Sequence, residues 1–81
     1  MTVDEQLRQR ISTDPKIMVG KPVIRGTRIP DELIVRMLAQ GNSESQILEE
    51  YPRLELEDIR AALAHTAFVL TLEDVFPRQP R

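Results

Sequence analysis

Between Asp14 and Pro30 the chain carries three prolines, Pro15, Pro22 and Pro30, and two glycines, Gly20 and Gly26. Proline removes a backbone donor and breaks a helix interior, so no helix of useful length fits this stretch. What remains are short apolar pieces, Ile17-Met18-Val19, Val23-Ile24 and Thr27-Arg28-Ile29. The last two flank Arg25-Gly26, the length of a tight hairpin loop, and Gly26 can adopt the positive φ such a turn demands. Pro22 and Pro30 cannot donate to a ladder, so the strands are expected to be short or to lie at an edge. Upstream, Val3, Leu7 and Ile11 recur every four residues among charges, which fits a short amphipathic helix or a polar lead-in over residues 1–10.

After Pro30 the period becomes helical. Pro30 suits the first helical position, Asp31 and Glu32 sit where the macrodipole favours negative charge, and Leu33, Ile34, Met37 and Leu38 share one face. Gly41 stops this helix. Ser43-Glu44-Ser45-Gln46 reads as a capping box opening a shorter helix with Ile47, Leu48 and Tyr51, which Pro52 ends. A third helix is expected from near Leu56, with Ile59, Leu63, Thr66 or Ala67, and Leu70 on one face. Helices of about ten, eight and fifteen residues with short links predict a mainly α fold. Its expected form is a tri-helical helix-turn-helix bundle, homeodomain-like or winged-helix-like, over residues 11–76, with a short N-terminal β-hairpin segment. Residues 77–81 are expected to be a disordered tail.

At 81 residues the chain has room for one domain with a thin core. It has no cysteine to staple that core, which makes oligomerisation, as a homodimer, the expected source of extra stability. No apolar run reaches the 18 or so residues that span a bilayer, and the N-terminus lacks a basic region followed by an apolar one, so a cytoplasmic protein is expected. A net charge of −2 excludes a protein that coats nucleic acid. Any nucleic-acid contact has to come from a local patch.

Two sets of residues stand out as binding candidates. From Ala67 to Phe76 apolar groups lie on several sides of the third helix, and Phe68, Leu72, Val75 and Phe76 exceed what one seam of a three-helix core can cover. They either meet a partner or fold back on the bundle. Lys21, Arg25 and Arg28 cluster in the turn-rich segment, where strand alternation could set a subset of them on one face; Arg53 and Arg60 flank the start of the third helix. Arginine's planar fork suits phosphates and base edges, while an internal salt bridge from Arg25 or Arg28 to a helix acid is the structural alternative. Against base reading by the third helix stand Glu55, Glu57 and Asp58 in its first turn.

Catalytic signals are absent. His65 is the single histidine, without the further ligands a metal site needs, and it is expected at the surface or an interface. Ser12, Ser43 and Ser45 have no base partner visible in sequence. Gly20-Lys21-Pro22 lacks both the upstream glycine and the following hydroxyl residue of a phosphate loop. A non-enzymatic binding module without metal or cofactor is the expectation.

The string Gly20-Lys21-Pro22-Val23-Ile24-Arg25-Gly26-Thr27-Arg28-Ile29-Pro30, with Gly41, Ile47-Leu48-Glu49-Glu50-Tyr51-Pro52 and Leu54 through Leu63, closely resembles the bacterial family called domain of unknown function 433, a VapB-like antitoxin family. The resemblance covers about residues 11–67. It implies a helix-turn-helix-like bundle acting as the antitoxin of a type II toxin–antitoxin pair, blocking a PIN-like ribonuclease toxin and repressing its own operon through operator DNA. A stand-alone DNA-binding regulator and a dimerisation module that never meets nucleic acid are the alternatives. Glu55 stands where the family typically has a capping Thr or Ser, and His65 where it is often aromatic.

Overall fold

The structure, a computed structural model, describes residues 3–16 and 18–72. Its order is helix α1 (Val3–Arg8), strand β1 (Ile11–Ser12), a one-turn 3-10 helix (Met18–Gly20), strand β2 (Val23–Ile24), and helices α2 (Asp31–Ala39), α3 (Glu44–Glu50) and α4 (Leu56–Leu72). The predicted mainly helical bundle with a small N-terminal β element is what forms.

The hairpin differs from the expected one in its partner. The turn at Arg25-Gly26 does form: Thr27 N–H donates to the Ile24 carbonyl at 2.9 Å, and Gly26 has a φ of 83°. Beyond it, Ile29 contributes one carbonyl to Ile24 N–H, and Val23 faces Pro30 in an isolated bridge. The regular antiparallel partner of β2 is instead Ile11-Ser12, with Ile11 opposite Ile24 and Ser12 opposite Val23. Ile11, about two helical turns on from Val3 in the four-residue pattern, therefore lies in a strand. Gln9 and Arg10 end α1 so that Ile11 can enter the core, where it is 8% exposed.

Local chemistry sets the remaining boundaries. Pro30 caps α2 in an extended conformation, one position earlier than expected. Gly41, with a φ of 99°, closes α2 in a Schellman arrangement: its N–H reaches the Leu38 carbonyl and that of Asn42 reaches Met37. Both bonds of the capping box are made, Gln46 N–H to Ser43 Oγ at 3.1 Å and Ser43 N–H to Gln46 Oε1 at 2.7 Å. At α4 the missing Thr or Ser is replaced from inside the helix. The Asp58 carboxylate accepts the Glu55 N–H at 2.8 Å.

The core is Ile11, Val23, Ile24, Ile34, Ile47, Leu54, Ile59, Ala61 and Ala62, with α1 and α2 both packed along α4. Here the sequence reading of α4 needs correction. Leu63 and Leu70, expected on its core face, are 43% and 62% exposed, whereas Ala61 and Ala62 are fully buried. Small residues there let the neighbouring elements approach closely, and that turns the leucines outward. Among the described residues no helix is long and apolar enough to cross a membrane.

Candidate nucleic-acid and partner interface

The five basic residues singled out in sequence divide into two sorts. Lys21 Nζ lies 3.0 Å from Glu32 Oε1, and Arg60 lies 3.5 Å from Glu57 one turn earlier on α4. These two are paired with carboxylates. The Lys21 hydrogen bond holds the Glu32 carboxyl below its usual range. That contribution to stability is present above the ordinary glutamate range and is lost as pH falls through the lowered value; the pair is exposed, so it is small.

Arg25, Arg28 and Arg53 have no carboxylate partner among the described residues, and neither Arg25 nor Arg28 makes the salt bridge that was the structural alternative. Arg25 instead donates from Nε to the Gln9 carbonyl at 2.8 Å and from Nη2 to that of Ile11 at 3.3 Å. It bolts the Arg25-Gly26 turn onto the end of α1. Arg53, in the α3–α4 link, donates to the Gly26 carbonyl at 3.0 Å. Arg28 is exposed and makes no side-chain bond to a described residue. Arg28 and Arg53 line one hollow of about 600 Å³, and Arg25 and Arg53 line a second of about 420 Å³. Three guanidiniums, from the turn after β2 and from the α3–α4 link, thus border a continuous face at the start of α4.

The acids of that first turn are less of an obstacle than their number implies, because of a residue sequence reading missed. Arg10 Nη1 reaches Glu55 Oε1 at 3.0 Å and Asp58 Oδ1 at 3.1 Å. The Glu55 hydrogen bond first, then the Asp58 one, push Arg10 above an ordinary guanidinium's pKa. Asp58 is buried, so this contact also satisfies a charge held out of water. Arg10 lies 45 and 48 residues from its partners, and no local signal announces such a pair.

The partner candidates lie at the far end of α4. Phe68 is 38% exposed and carries the Arg8 guanidinium over its ring at 4.0 Å, while Leu72 is 67% exposed. Leu70 joins them. Val75 and Phe76, and the expected tail at 77–81, lie outside the described residues. His65, expected at the surface or an interface, is half-buried between helices, its Nδ1 against the carboxylate of Asp31. No group of three or more potential metal ligands occurs among the described residues.

The profile of the family described as "Protein of unknown function (DUF433)" matches residues 11–65. The chain belongs to the DUF433 family. The crystal structure of a DUF433 member protein from Anabaena variabilis ATCC 29413 matches it with a TM-score of 0.73 at 31% identity, over 86% of this chain and 69% of that one. "Uncharacterized protein y4eO" of Sinorhizobium fredii (strain NBRC 101917 / NGR234) is 40% identical over 55 residues, which is 68% of this chain but 25% of that protein. The chain therefore spans about a quarter of that relative's length. An uncharacterised Archaeoglobus fulgidus protein is 59% identical over 29 residues, 36% of this DUF433 chain and 81% of the archaeal one. The DUF433 match begins at Ile11, the residue that opens β1, and includes Arg25, Arg28 and Arg53.

Proposed function

We propose that this DUF433 chain is a binding module, the antitoxin of a type II toxin–antitoxin pair that docks a PIN-like ribonuclease and grips operator DNA. The observation that carries the docking half is the C-terminal part of α4, where Phe68 and Leu72, one turn apart on one face, and Leu70 on another flank are all exposed to solvent. Large apolar side chains exposed in adjacent turns of one helix mark an interface in a small protein whose own core is thin. Leu63, Ala67 and Leu70, at helical spacing along one flank of α4, suit pairing with a second copy of the chain. The arginine face supports the DNA half: Arg25 and Arg53 are fixed by backbone carbonyls beside the unbonded Arg28, guanidiniums suit a phosphate backbone, and two copies would double them.

The test is co-expression with the product of the adjacent gene. The proposal expects that product to arrest growth alone and to be neutralised by this chain, with the two proteins purifying together. An adjacent product that is harmless, or that is toxic and never bound by this chain, contradicts it. A second reading, a stand-alone DNA-binding regulator, is favoured by Arg28, which no carboxylate neutralises among the described residues. It predicts salt-dependent binding to the chain's own upstream DNA with no second protein present.

A further inference from the structure

A groove of about 340 Å³ runs between the start of α2 and the middle of α4; it shares only Leu70 with the proposed docking surface and none of Arg25, Arg28 and Arg53 with the arginine face. On one wall is His65, the chain's single histidine. Its Nδ1 meets Oδ2 of Asp31, the first residue of α2. Asp31 is 5% exposed and the His65 side chain 19%. A carboxylate removed from water needs a donor in front of it. In the neutral imidazole that donor is the proton on Nδ1, which leaves the lone pair on Nε2. Nε2 has no partner among the described residues.

The other polar groups of the groove are already engaged. Lys21 and Glu32 bond each other, and the Thr66 hydroxyl donates back to the Ala62 carbonyl at 2.9 Å. Pro22, Val69 and Leu70 supply apolar walls. One oriented acceptor in an apolar cleft of this size is the composition of a small-ligand site. We propose that this groove binds a small ligand with an aromatic or branched apolar body and one hydroxyl, the hydroxyl donating to His65 Nε2. The proposal stands whether or not the chain is an antitoxin.

The single histidine makes the test unambiguous. The whole chain, labelled with 15N-histidine, is titrated at about pH 8, between the ordinary imidazole and phenol ranges, with phenol and separately with anisole, the same ring with its donor methylated. The expected result is a saturable shift of the Nε2 resonance with phenol, and about fivefold weaker binding of anisole, the scale of one neutral hydrogen bond. Asp31→Asn can hand Nδ1 a donor in place of an acceptor, moving the ring proton to Nε2; the preference between phenol and the acceptor acetophenone must then follow whichever nitrogen carries the proton. An Nε2 signal that phenol leaves unmoved, or equal binding of phenol and anisole, overturns the proposal. If Asp31→Asn fails to fold, the comparison in the unmodified chain still decides.

Discussion

Arg25 donates to two backbone carbonyls, and Arg28, three residues on, bonds no described side chain or backbone group. Their replacement by alanine should therefore separate structure from binding. Arg28→Ala is expected to leave unfolding free energy within about 0.5 kcal/mol, while lowering the slope of log affinity against log salt for upstream DNA by about 1. Chemical denaturation and fluorescence anisotropy read the two effects. Arg25→Ala is expected to cost about 1 kcal/mol, because the turn loses its tie to α1. Val19 shows the opposite balance. It has a φ of 56° and is 95% exposed, so a β-branched side chain sits in the left-handed region with little packing in return. Asparagine tolerates that region, and Val19→Asn should raise stability by about 1 kcal/mol in the same denaturation assay.

Helix α4 is tied at its start to a contact from outside itself. Asp58 is at once the cap of its own first turn and the carboxylate that Arg10 holds. Asp58→Ala should cost about 2 to 3 kcal/mol, against about 1 kcal/mol for Ser43→Ala at the capping box of α3, measured by thermal and denaturant unfolding. The difference reflects what each change removes: at Asp58 the cap of Glu55 N–H and one of the two carboxylates that hold Arg10, at Ser43 the cap of one exposed N–H. The same contrast explains what could be read from sequence. Gly41, Ser43 and Gln46, and the Arg25-Gly26 turn, act within a few residues of themselves, and their elements ended or began where their chemistry dictates. The pairing of Ile11 with Ile24 is a tertiary choice, and four-residue spacing concealed it. On α4 the pattern of leucines outweighed the alanines, because hydrophobicity alone does not say that a close helix contact prefers Ala61 and Ala62. Arg10 with Asp58, and Asp31 with His65, join residues far apart in the chain, so the charge layout of the candidate face became legible only in three dimensions.

Among the described residues few large side chains are fully buried, chiefly Ile24, Ile34, Ile47 and Ile59 with Val23. A domain of this length is stable by about 4 to 12 kcal/mol, and truncating one buried isoleucine removes about 2 to 5 kcal/mol. Ile34→Ala or Ile47→Ala should thus bring much of the population near its unfolding midpoint, visible as lost cooperativity in circular dichroism melts. A core so small leaves the apolar end of α4 uncovered by the described bundle, and the proposed partner rests on that surface. The decisive measurement is the affinity of the purified chain for the product of the adjacent gene, for the unmodified sequence and for Leu72→Glu, whose side chain is 67% exposed and whose loss leaves the core intact. The account predicts a stable complex that the substitution weakens at least tenfold with the melting curve unchanged. Tight binding that ignores Leu72→Glu, or no binding by the unmodified chain, contradicts it.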